Sequence, residues 1–262
     1  MRYFFHLAYK GTRFSGWQKH PNIPTIQETL ESTLFKVLKE PIEIVGCGRT
    51  DAGVHASQFF FHCDIEQSWD FDALFRINKS LPNDISLFGY YPMSGQAHAR
   101  FDARLRTYQY YIHTIKDPYL SSLSSFYEIK NMDYDSMYKA TQLLLHYQDY
   151  AAFCKSPNKY EHTRCYIKES KMDISSDERR IRFQISSNRF LSGMIRILVG
   201  KFLDIGNGLL SLDQFESHLE SLITPETIRP AHPEGLYLCK VTYPYLDLPN
   251  TSPFAKILDW EP

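Results

Sequence analysis

The chain has 262 residues, 43% of them hydrophobic, which is enough to build one large domain or two smaller ones around a real core. Its 29 basic residues stand against 30 acidic ones for a formal net charge of -1, which argues against a generic polyanion binder and confines any nucleic-acid site to a local patch. The five cysteines are far apart and never spaced as CxxC, so they indicate neither a disulfide framework nor a zinc site and fit a reducing cytoplasm. The first apolar run, residues 3–9, is too short for a signal-peptide core. The run FLSGMIRILVGKFLDIG is interrupted by Arg196 and Lys201 and falls short of a membrane span. These features predict a soluble cytoplasmic protein with no membrane partner.

Residues 2–9 are aromatic and short, and read as a strand. A helix follows from Thr25 and Glu28, which have capping-box spacing, with Ile26, Leu30, Leu34 and Leu38 as its buried face. Next come a short strand at 42–46, a glycine loop, a second strand at 58–65, a helix at about 70–79 capped by Asp70, and a strand at 85–91. That order is the split βαβ pattern of ferredoxin-like domains. The second half repeats it. A strand at 106–115 leads to a helix at 135–147 that packs Met137, Ala140, Leu144 and Tyr147. A hairpin of 165–174 and 180–187 turns around Ser176 and Asp177. Helices at 190–204 and, from a Ser211 cap, 212–222 precede a strand at 236–243. The expected fold class is therefore α/β (α+β): two ferredoxin-like βαββαβ halves, 1–100 and 101–250, joined into one mostly antiparallel sheet with helices on one face, followed by a tail at 251–262.

The loop GCGRTDAGVHA, residues 46–56, surrounds Asp51 with glycine and alanine, which permits a tightly shaped loop and a close approach to the carboxylate. A tight turn with a solvated aspartate is the plain alternative. Established hydrolytic and metal motifs are absent: there is no GxSxG, no HExxH and no GxxxxGK[ST], and Cys47 reads as a small buried residue. A carboxylate with Arg49 two residues before it can serve as a nucleophile or base, while the arginine holds a phosphate or balances the charge. The stretch HARFDARLRTYQYY, residues 98–111, interleaves Arg100, Arg104 and Arg106 with Phe101, Tyr108, Tyr110 and Tyr111. Arginines supply phosphate contacts and rings supply base stacking, although the same pattern also describes a strand of core aromatics with solvated arginines between them. If the halves join edge to edge, Asp51, Tyr108 and Arg196 meet in one cleft.

The segment GRTDAGVHA, residues 48–56, resembles the signature of the tRNA pseudouridine synthase A family. YKGTRFSGWQ (9–18), INKSLPNDI (77–85), HARFDARLRTYQY (98–110), FLSGMIRILVG (190–200) and EGLYL (234–238) resemble further motifs of that family, in its order. The resemblance implies the pseudouridine synthase fold, a homodimer, and conversion of uridine to pseudouridine without cofactor or metal. It implies Asp51 as the catalytic aspartate and Tyr108 as the residue that stacks on the target base and takes the C5 proton. Arg196 would pair with the Asp51 carboxylate, Arg49 would displace and hold the flipped nucleotide, and Leu236 would line the uracil pocket. The implied substrate is tRNA, at nucleotides 38, 39 and 40 of the anticodon stem-loop, with Arg49, Arg100 and Arg104 on phosphates. The chain departs from the family pattern at Gln58 and Phe59, at Gly193, and at Ala231, His232 and Pro233, which bears on pocket shape and on which uridines are reached. Two readings compete with this one: a ferredoxin-like module that binds RNA without altering it, and a hydrolase using Asp51 on a small nucleoside. A family member acting on other uridines is a third.

Overall fold

The computed structural model describes residues 1–66, 69–129, 131–225 and 228–249, so the expected tail lies outside the described residues. In chain order the elements are β1 (Arg2–Tyr9), α1 (Ile26–Leu38), β2 (Val45–Gly46), β3 (His55–Asp64), α2 (Ala73–Ser80), β4 (Ile85–Met93), β5 (Leu105–His113), β6 (Ser125–Phe126), α3 (Tyr134–Leu143), β7 (Ile167–Ile174), β8 (Arg180–Ser187), α4 (Met194–Gly206), α5 (Leu212–Ser221) and β9 (Leu236–Thr242). Tertiary contacts divide the chain into two compact units, residues 1–106 with 237–249 and residues 107–236. Both are of the mixed α/β class that the element order predicts.

In the first unit β4 pairs with β1, β1 with β3 and β3 with β2, all antiparallel, which is the strand order a split βαβ unit requires. β9 adds to β3 in parallel, with His55 opposite Tyr237. Cross-strand rings hold the register. Phe5 stacks on Phe61 with centroids 4.8 Å apart, and on the opposite face of the sheet His6 stacks on Phe60 at 4.8 Å. Tyr243 closes that second face edge-on against Phe4 and Phe60. α1 starts where expected, with the Thr25 hydroxyl accepting from the Glu28 amide, and its apolar stripe is buried as the four-residue spacing demands. α2 is capped by Asp72 and not by Asp70, because it is the Asp72 carboxylate that accepts from the Phe75 amide at 2.9 Å.

In the second unit β5, β8 and β7 form the sheet, and β6 pairs with β5 in parallel. Phe183 of β8 meets Phe202 of α4 at 5.1 Å, and Phe215 of α5 meets both Phe202 and Phe153, so one aromatic cluster joins the helices to the sheet. α4 explains the apolar run around Arg196 and Lys201. It is a core helix in which every residue but Arg196 and Asp204 is buried, and Lys201 is neutralised by Asp204 at 3.2 Å. Among the described residues no helix is long and apolar enough to cross a membrane. α4 begins four residues later than its hydrophobicity predicts, because Gly193 at its N-cap takes a left-handed φ of 72°. α5 has the Ser211 cap that was expected, completed by Gln214 into a reciprocal capping box. α3 stops at Leu143, and Leu144 to His146 continue as a turn. β6 is too short to register as a strand pattern.

His6 lies fully inside the first unit, and its Nε2 has no hydrogen-bond partner among the described residues. Burial lowers its pKa from 6.5 to about 4, and burial does the same to His62, whose Nδ1 accepts from the Ala99 amide. The unfolded chain therefore binds more protons than the folded one in that interval. Stability is full above pH 6.5 and falls as the pH drops toward 4. Urea titrations across this window should show the decline, and His6→Leu should reduce its slope by up to about 1.4 kcal/mol per pH unit. An unchanged slope in the variant would contradict the assignment.

Candidate active site

The glycine loop is clamped by backbone. Trp17 donates its amide to the Thr50 carbonyl at 3.1 Å, Gly53 donates to Phe14 at 3.2 Å, and Val54 donates back to Asp51 at 3.2 Å. The Thr50 hydroxyl and the Tyr9 phenol share a buried hydrogen bond of 2.9 Å. His55, stacked on Tyr237 at 4.5 Å, accepts from the Gly11 amide at 3.0 Å. Residues 9–18 are thus the wall against which residues 50–55 are shaped. Two glycines make the approach possible. A Cβ on Gly11 would overlap the Val54 carbonyl, and one on Gly16, whose φ is 91°, would stand 2.5 Å from the Thr50 oxygen.

The other end of the loop is held by Arg106. Its Nη2 donates to the Cys47 carbonyl at 2.7 Å and to the Arg100 carbonyl at 2.8 Å, and Nε donates to Cys47 again at 3.2 Å. The guanidinium therefore ties the aspartate loop to the 98–102 turn. Burial pushes the Cys47 thiol up to about 11, so it stays protonated and has no part in chemistry at neutral pH. With both ends fixed, Thr50 points inward, Arg49 is exposed and Asp51 is half-buried. The loop offers a guanidinium and a carboxylate from positions 49 and 51 on a braced frame.

The LPNDI segment supports the same frame. Asp84 forms an ion pair with Arg13 and accepts the Lys10 amide through its carbonyl, while Asn78 bonds both backbone groups of Leu87 at 2.8 Å. In the second unit Tyr108 lies on β5, only 8% exposed, with its ring edge-on to Phe190 at 5.1 Å. Arg196 donates from Nε to the Ala231 carbonyl at 2.6 Å and accepts the Ala231 amide through its own carbonyl, so α4 fixes the segment that runs on to Leu236. That segment is also anchored by the Tyr110 hydroxyl, which donates to the His232 carbonyl at 2.7 Å. Leu236 itself is buried. Arg49 and Asp51 thus share one loop of the first unit, while Tyr108, Arg196 and Leu236 belong to the second.

The departures from the family pattern have local explanations. Gln58 is fully buried, accepts from the Val241 amide at 3.0 Å and donates to the carbonyls of Leu248 and Pro249, which clasps the chain beyond β9. The side chain of Lys155 covers Gly193 and fills the space a Cβ would enter. Among the described residues no group of three His, Cys, Asp or Glu side chains could hold a metal ion. The clamp roles of Tyr9, His55 and Arg106 escape notice in the sequence because Tyr9 acts on the Thr50 side chain 41 residues away, and His55 and Arg106 act on backbone groups of Gly11 and Cys47, 44 and 59 residues away.

Comparison with known proteins gives the class as pseudouridine synthase: residues 140–244 match the family model described as tRNA pseudouridine synthase. Over 93% of its length the chain is 37% identical to tRNA pseudouridine synthase A of Porphyromonas gingivalis, of which 97% is covered, and 39% identical to that of Bacteroides fragilis, of which 96% is covered. The protein of that name from Hydrogenobaculum is 33% identical over 92% of the chain and 99% of its own length. The chain belongs to the tRNA pseudouridine synthase A family.

Gly16→Ala tests the clamp. The substitution forces a side chain against the Thr50 carbonyl in a backbone region that L-residues disfavour, and should lower unfolding stability by roughly 1–3 kcal/mol. Urea unfolding measures it. Wild-type stability would show that the approach is looser than described.

Proposed function

We propose that this protein isomerises uridine to pseudouridine in tRNA, with Asp51 as the catalytic carboxylate. The observation that carries the reading is the Asp51 loop itself, carboxylate and Arg49 on a loop braced from both sides, in a chain of this family. The reaction breaks the bond between N1 of uracil and the ribose, turns the base and forms a bond from C5 to the same ribose carbon. N1 gains a proton and C5 loses one, so nothing is oxidised and no co-reactant is consumed. The target base must leave its stack to be turned, and Arg49, exposed beside Asp51, holds the flipped nucleotide by its phosphate. Asp51 serves as a nucleophile toward ribose or base, or as the base that removes a ribose proton.

In this reading Tyr108 stacks on the uracil and takes the C5 proton, Leu236 lines the base pocket, and Arg196 is the counter-charge of the Asp51 carboxylate. The working form in this reading is a cytoplasmic homodimer of two-halved subunits, since a chain of net charge -1 has few spare cations and two subunits together offer a wider basic surface to tRNA. Its targets are nucleotides 38, 39 and 40 of the anticodon stem-loop. Reaching neighbouring nucleotides calls for recognition of the backbone, because a reader of base edges would be confined to one sequence.

The chemistry is tested with tRNA tritiated at uridine C5. The protein should release tritium, and Asp51→Asn should abolish release while binding to tRNA persists, because shape is kept and only the charged oxygen is lost. A variant that still turns over would remove Asp51 from the chemistry. The substrate is tested separately by mapping pseudouridines with carbodiimide and primer extension in tRNA from cells with and without the protein. Loss at 38, 39 and 40 is expected, and unchanged modification there with losses elsewhere would overturn the positions and leave the reaction standing.

A further inference from the structure

Phe101 has no part in the site described so far, yet its ring is 74% exposed at the tip of the 98–102 turn. Single exposed phenylalanines are ordinary. This one sits on an unusually well-held support. The His98 amide donates to the Asp102 carboxylate at 2.7 Å, the Asp102 amide returns to the His98 carbonyl, and the Tyr245 hydroxyl donates to the same carboxylate at 2.8 Å. The Tyr243 hydroxyl donates to the Ala99 carbonyl at 2.7 Å, and the Ala99 amide donates to His62. The Arg100 carbonyl is taken by Arg106. His98 accepts the amides of Arg100 and Phe101 through Nδ1 and lays its own ring against Phe101, with centroids 4.2 Å apart.

We infer that Phe101 is a stacking position for an unpaired base of the RNA substrate, presented by the turn that Arg106 ties to the Asp51 loop. Two observations point to a nucleic acid. The guanidinium of Arg100 lies 5.8 Å from the Phe101 centroid, and Arg104 is exposed two residues beyond the turn. An exposed aromatic face beside an arginine matches a base and its phosphate. Arg106 also keeps the Arg100 and Cys47 carbonyls within two hydrogen-bond lengths of each other, so the aromatic turn and the aspartate loop are positioned by one side chain. A base stacked on Phe101 would be held in register with the carboxylate. The entropy of ordering the ring is already spent in the free protein.

This inference rests on tRNA being the substrate, and the test keeps the two claims apart by measuring binding and turnover in parallel. Phe101→Ala should weaken tRNA binding and raise KM about tenfold, as expected for loss of one stacked base, with kcat within about twofold of wild type. Phe101→Trp should bind at least as tightly as wild type, and its added indole fluorescence should be quenched by tRNA. Phe101→Leu, apolar but without a ring face, should behave like the alanine variant. Wild-type affinity in the alanine variant, or full recovery by leucine, would overturn the inference and leave the ring as a staple for its own turn. Absence of tritium release from the unaltered protein would instead contradict the proposed reaction, and the binding series would still decide the role of Phe101.

Discussion

No side chain fits at Gly11 or Gly16, where residues 9–18 meet the loop that carries Asp51. Gly11 and Gly16 bring backbone directly against the carbonyls of Val54 and Thr50, and the amides of Trp17 and Gly53 bond across the seam. A loop of small residues would otherwise sample many conformations, and ordering each residue costs about 1–2 kcal/mol. Here the cost is met during folding, by hydrogen bonds and by the aromatic packing of Tyr9 and Trp17 on Phe59 behind the seam. In the proposed reaction the carboxylate arrives at its substrate already placed.

The other features of the first unit serve this placement. Asp84 and Arg13 hold the outer side of the wall, His55 and Tyr237 hold the far end of the loop, and Arg106 holds its beginning. The exposed groups then divide between tasks. In the proposed reaction Arg49 and Asp51 face the nucleotide, while Arg100 and Phe101 stand on a second turn coupled to the same frame. Uridine isomerisation needs no redox partner, so its difficulty is one of position: a base must be extracted, turned and rejoined without escaping. A rigid loop suits that requirement better than a flexible one.

Much of this could be read from the sequence, for definite physical reasons. The Thr25 and Ser211 caps, the four-residue stripe of α1 and the β7–β8 hairpin are local, and local chemistry fixes them. The aspartate loop could be singled out because so much glycine around one carboxylate is unusual, whereas the close backbone approach itself lies at Gly11 and Gly16 of the facing segment. What could not be read depends on distant partners or on single-residue geometry. Asp72 displaces Asp70 as the α2 cap by two positions, a choice that composition does not make. α4 starts late because Gly193 adopts a left-handed φ, while the hydrophobic pattern runs on through Phe190. Arg106, which looks like one arginine among several in an aromatic strand, acts through carbonyls 59 and 6 residues away, and no spacing reveals that.

The central claim is that the Asp51 loop is fully formed before RNA arrives, and amide hydrogen exchange on the RNA-free protein tests it most directly. The amides of Trp17, Gly53 and Val54 should be protected to a degree comparable with those of β1 and β3, and Arg106→Met should lower the protection of residues 47–54 while β4 stays unchanged. Exchange of these three amides at the rate of an open loop in the wild-type protein, with protection appearing only when tRNA is added, would contradict the account.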